Sequence, residues 1–79
     1  MSEVLESVHQ LVLNGNMPAK SVAIAVGKPY QTLMREINPE DLGAKLGVET
    51  FMAIIDTTGD STPLSVMVQE LGYRLAPVD

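Results

Sequence analysis

The chain has 79 residues, of which 46% are hydrophobic and 19% charged, with a formal net charge of −5 and no cysteine. That length allows one domain with one modest core, and the missing thiols exclude a disulfide framework, a cysteine-based zinc site and a thiol nucleophile. One Phe, two Tyr and no Trp leave the core to aliphatic side chains and Met, and no apolar run approaches the ~20 residues that cross a bilayer.

In chain order, Ser2 stands where it can cap a first helix whose apolar face is Val4, Leu5, Val8, Leu11 and Val12. The N-terminal stretch carries Glu3 and Glu6 rather than a basic segment before an apolar run. No secretory signal is therefore expected, and the protein is expected to be soluble and cytoplasmic. The single His, His9, follows Glu6 by one helical turn and reads as a half-exposed side chain with an acid neighbour. With no second His, a metal site is not expected.

Asn14-Gly15-Asn16 ends this helix and Pro18 starts the next. Ala19, Val22, Ala23 and Val26 then fall at i, i+3, i+4 and i+7, one face of a helix, and Tyr30, Leu33, Met34 and Ile37 repeat the spacing. Between them Gly27-Lys28-Pro29 suits a sharp corner, where Gly allows positive φ and Pro opens a helix. Ala23, one turn before the Gly, is small enough to let the two helices approach, and Leu33 can plug the inside of the corner. Gln31, Thr32 and Arg35 project from the other face of the second helix, with Lys28 at its start. Such side chains can hydrogen-bond base edges or phosphates in a major groove, which makes 30–37 a candidate recognition helix. A helix-Gly-helix corner also occurs in any small helical domain, and Lys28 stands where an apolar turn residue is common.

Asn38-Pro39 stops the chain of helix, and Glu40 to Gly47 reads as a connecting loop. Val48, Phe51, Met52 and Ile55, joined by Ile54, mark a fourth helix ending at Thr58-Gly59, with Glu49 at the positive end of its dipole. Thr62-Pro63 opens a fifth, lined by Leu64, Met67, Val68 and Leu71 and closed by Gly72. Met52 and Met67 are expected to fill the core. Ile54 and Val66 fall slightly off the main stripes, where they either widen the core contact or line a subunit interface. Asp60 follows Gly59 in a turn, where Asp is favoured for local hydrogen bonding.

The expected architecture is thus all-α: five helices near 3–13, 18–26, 30–37, 48–58 and 63–71 around one core, within a domain spanning 1–72 and followed by a tail at 73–79. No nucleophile constellation, paired carboxylates or glycine-rich phosphate loop is present, so neither an enzyme, a cofactor nor a small-molecule substrate is expected. An acidic chain is an unusual nucleic-acid binder, but the acid is unevenly spread. Residues 1–40 sum to −1 and residues 41–79 to −4, while residues 17–37 alone carry three bases against Glu36, a local +2. So little positive charge per chain predicts weak DNA binding by one copy and self-association for a tight complex.

Several segments together resemble the phage regulatory protein CII family. They are Ala25-Val26-Gly27-Lys28-Pro29-Tyr30-Gln31-Thr32-Leu33, Asn38-Pro39, Ala44-Lys45-Leu46-Gly47, Thr58-Gly59-Asp60-Ser61-Thr62-Pro63-Leu64 and Glu70-Leu71-Gly72. The resemblance spans Val22 to Gly72. It implies a repressor-like helix-turn-helix domain that binds double-stranded DNA, self-associates and regulates a phage promoter in the lysis–lysogeny decision. It also implies a DNA-binding role for Lys28, Tyr30, Gln31, Thr32 and Arg35. Lys45 then looks placed for a phosphate, beside the free N–H groups at the start of the fourth helix. Family members often extend well beyond the last helix, whereas this chain ends at Asp79.

Two other classes compete. A helical protein-interaction module of antirepressor type would use the acidic second half to attract basic partners or mimic DNA. An acyl carrier protein would explain the length, the low pI and Asp60-Ser61. It requires Asp-Ser followed by Leu at the head of a long central helix, and Thr62-Pro63 stands there instead.

Overall fold

The computed structural model describes residues 3–78 and contains five α-helices there: α1 Glu3–Asn14, α2 Ala19–Val26, α3 Tyr30–Ile37, α4 Val48–Thr58 and α5 Thr62–Glu70. Every helix end lies within one residue of the position that periodicity and the Gly/Pro punctuation predict. Ser2, the expected cap of α1, and Asp79 of the tail lie outside the described residues. Residues 73–78 form no helix or strand and are exposed.

α1 is the hub, packing on α5, α2 and α3, while α2 reaches across to α4. The core draws Val8, Leu11 and Val12 from α1, Val22 and Ala23 from α2, Leu33 and Ile37 from α3, and Phe51 and Ile54 from α4. α5 adds the fully buried ring of Pro63, with Leu64 and Met67 at the core's edge. No polar or charged residue is buried among the described residues, so hydrophobic transfer, roughly 1.5–3 kcal/mol per large aliphatic side chain, dominates the stability of this core.

The turn between α2 and α3 is built as the sequence suggests. Gly27 adopts φ 75°, which only glycine enters without strain. Its N–H donates to the Ile24 carbonyl at 3.1 Å, and the Lys28 N–H donates to the Ala23 carbonyl at 3.0 Å. This pair of bonds is a Schellman cap, satisfying two of the carbonyls a helix end would leave orphaned. Pro29 then stands just ahead of α3 as Pro18 stands ahead of α2, each carbonyl accepting the N–H of the residue four on. Asp60 caps α5 from outside, its Oδ1 accepting from the Thr62 N–H at 2.9 Å and from the Thr62 hydroxyl at 2.6 Å.

Three expectations about the core need correction. Met52, expected inside, is 62% exposed, and Val48 is 74% exposed, whereas Ile54 is the fully buried residue of α4. At 3.6 residues per turn Met52 stands about 160° round the helix from Ile54, so the two cannot share one buried face. Leu71, expected on the inner face of α5, lies past the helix end and is 69% exposed. Val66 is half-buried.

Candidate nucleic-acid interface

α3 is strongly two-faced. Leu33 and Ile37 are fully buried and Met34 half-buried, while Gln31, Thr32 and Arg35 are exposed together on the other side. The burial of Leu33 and Ile37 sets the rotation of the helix, and that rotation presents the three polar side chains to solvent. Tyr30 lies at the margin, 39% exposed, with the Nζ of Lys20 from α2 over its ring at 5.6 Å from the centroid. This cation–π contact ties the exposed rims of α2 and α3 together.

The cations of this face are not free point charges. Lys28 is half-buried, and its Nζ donates to the Glu36 carboxylate at 3.0 Å. Arg35 is 62% exposed at its side chain, yet its Nε donates to Asp41 Oδ2 at 3.0 Å. The other oxygen, Asp41 Oδ1, accepts from the Gly43 backbone N–H at 3.0 Å. The hydrogen bond and charge of Asp41 raise the Arg35 pKa further above its already high value. The bonds from Arg35 and from the Gly43 N–H hold the Asp41 carboxyl below the usual carboxylate value. The pair also fastens the 38–47 loop to the end of α3.

Lys45 follows in that loop and is exposed. α4 begins three residues later with Gly47 as its cap and no side chain bonding its first N–H groups. Loop and helices enclose an apolar groove of about 510 Å³, lined among others by Leu5, Leu46, Val48, Met52 and Met67, with Lys45 also part of its wall.

Of the six residues the sequence singled out, Tyr30, Gln31, Thr32 and Arg35 share α3, Lys28 is drawn into a contact with α3, and Lys45 stands apart in the loop. Asp41, Glu36 and Lys20 are the partners that sequence reading missed. The Lys28–Glu36 spacing of eight and the Arg35–Asp41 spacing of six each cross a helix boundary, so no helical spacing rule could flag them. No group of three or more His, Asp or Glu side chains that could hold a metal occurs among the described residues. None of the described helices is long and apolar enough to cross a membrane.

The family model described as phage regulatory protein CII (CP76) matches residues 3–79. No curated protein and no solved structure matches the chain.

Proposed function

The chain belongs to the phage regulatory protein CII family and is a DNA-binding transcription regulator of phage or prophage type; from that premise we propose that it reads the major groove with α3. The observation that carries this reading is the two-faced α3. Its buried Leu33 and Ile37 leave Gln31, Thr32 and Arg35 on one exposed surface, behind a tight Gly27 turn. Gln can pair with adenine, Thr can contact a thymine methyl or a hydrogen-bonding edge, and Arg can pair with guanine. Tyr30, with Lys20 over its ring, borders this surface. Lys28 flanks it from the turn, and Lys45 together with the uncapped start of α4 supplies phosphate contacts.

The charge pattern supports binding as a pair of copies. Two of the cations around α3 are already matched by Glu36 and Asp41, so one copy releases few counterions on DNA and binds weakly. Two reading helices about one DNA turn apart, ~34 Å, double the contacts. The exposed Val48 and Met52 on α4, beside the apolar groove, support self-association through α4 and α5. Such a protein acts on a phage promoter in the lysis–lysogeny decision, in the cytoplasm where that DNA is.

Selection of bound fragments from genomic DNA at ~50 mM salt, where electrostatics is generous, tests the reading. Enrichment of one short motif, with two half-sites, is the expected result. If no DNA of any sequence is retained at that salt, the α3 reading is wrong and a protein-interaction role takes its place.

A further inference from the structure

We propose that Asp41 is a positioning residue that sets the sequence preference of this interface by holding the Arg35 guanidinium in one orientation toward the bases. The proposal rests on the reading of α3 as the DNA-reading helix and adds to it a residue that makes no DNA contact of its own.

Three features of the contact support this. The Asp41 carboxylate is itself fixed, because Oδ1 accepts the Gly43 N–H at 3.0 Å and the Asp41 backbone N–H donates to the Asn38 carbonyl at 3.1 Å. Asp41 therefore offers Oδ2 from a tied-down loop rather than from a swinging side chain. Arg35 meets that oxygen through Nε, at 3.0 Å. A guanidinium has five donors in a planar fork, and bonding Asp41 through Nε leaves the donors of the two terminal nitrogens available to a base. That pair matches the N7 and O6 acceptors of guanine in the major groove. Lastly, the exposures differ: the Asp41 side chain is 25% exposed and that of Arg35 62%, so the anchor is inside and the fork outside. The Gly43 backbone runs beneath the contact, close enough that a methyl group there would lie 3.4 Å from Arg35 Nη2.

Orientation matters because Arg has long rotamer freedom to lose on binding, and a fork held beforehand loses less of it. Charge works in the opposite direction. A carboxylate beside a DNA-facing helix opposes binding to every sequence, through the phosphates. Removing Asp41 should therefore strengthen binding to the wrong DNA while weakening the preference for the right one. A simple repulsive acid would shift both affinities together.

The test uses the whole chain, a duplex enriched by the genomic selection, and a scrambled duplex of the same composition, at one fixed salt concentration. Arg35→Ala should lower the ratio of the two affinities by roughly five- to 150-fold. Asp41→Ala should lower the same ratio in the same direction while raising affinity for the scrambled duplex. The double variant should lose no more of the ratio than Arg35→Ala alone, since the aspartate acts only through the arginine. Asp41→Asn retains an oxygen for the Gly43 N–H and keeps the loop in place. It should still lose preference, and its thermal midpoint guards against a folding artefact. Parallel gains on both duplexes in Asp41→Ala and Asp41→Asn, with the ratio unchanged, would overturn the proposal and leave Asp41 a repulsive charge. If Arg35→Ala itself leaves the ratio unchanged, or no duplex is enriched, the reading of α3 fails first and takes this inference with it.

Discussion

The Nζ of Lys28 lies 3.0 Å from the carboxylate of Glu36, eight residues along the chain, so the one cation in the α2–α3 turn is tied to the last turn of α3. Both side chains are less than one-third exposed, and the Lys28 ammonium lies 3.0 Å from both Glu36 carboxylate oxygens, of which Oε1 is buried. Removing the lysine would strand a carboxylate with almost no access to water. Lys28→Ala is expected to destabilise the fold by about 1–3 kcal/mol. Glu36→Gln should cost less, because the charge it leaves unpaired is the more exposed one, an ammonium on a flexible stem that can swing into water. The glutamine variant should also free Lys28 and raise affinity for all DNA. Denaturant melts of the two variants, with binding to a scrambled duplex, check both halves.

Lys45 is exposed and makes no ion pair among the described residues, so it should act as a plain phosphate contact. Lys45→Ala should weaken binding to every sequence equally and flatten the salt dependence by about 0.9 unit in log K against log salt. A salt titration on specific and scrambled duplexes reads this. A loss confined to the specific duplex would instead make Lys45 part of sequence reading.

Leu33 and Gly27 support the corner in different ways. Leu33 is fully buried, so Leu33→Ala should destabilise by ~2–5 kcal/mol through lost transfer energy and the cavity left behind. Gly27 has φ 75° and no neighbour within 4 Å of where a Cβ would be. Gly27→Ala should therefore cost only the backbone strain, about 1–2 kcal/mol. Equal losses in the two variants would contradict this division between packing and backbone.

The acid limb of stability should report Asp60 and Asp41. The Thr62 hydroxyl and N–H hold the Asp60 carboxyl below its ordinary value of 3.8, and Arg35 with the Gly43 N–H does the same for Asp41. A carboxylate whose folded pKa is depressed contributes stability above its unfolded pKa and loses it as pH falls through the folded one. Asp60→Asn should thus lower the thermal midpoint at neutral pH and flatten its fall below pH ~4, where the unfolded chain's aspartate takes up a proton that the folded one still resists. Midpoints measured from pH 7 down to pH 2 give the comparison.

Self-association is open to light scattering on the free protein and on a two-half-site duplex. A dimer is expected at least on DNA, and Met52→Glu, on the exposed side of α4, should weaken it without unfolding the chain. A strict monomer in both states would remove the paired-copy reading.

Much of this was legible in the sequence because helical order is local. Apolar residues at i, i+3, i+4 and i+7, with Gly and Pro between the runs, place five helices and the tight turn before α3. The polar face of α3 was legible for the same reason, since the spacing that buries Leu33 and Ile37 must expose Gln31, Thr32 and Arg35. What the tertiary structure alone decided is which of two neighbouring apolar residues goes inside and what the charges touch. Ile54 is buried and Met52 is 62% exposed because α2 packs on one side of α4, and periodicity does not say where the neighbouring helix lies. Lys28 finds Glu36, and Arg35 finds Asp41, across a turn and a loop whose paths depend on how the helices pack. A count of charges along the chain registers those four residues as cations and anions. Only their positions in space turn two of the cations of a +2 stretch into tethered, oriented side chains.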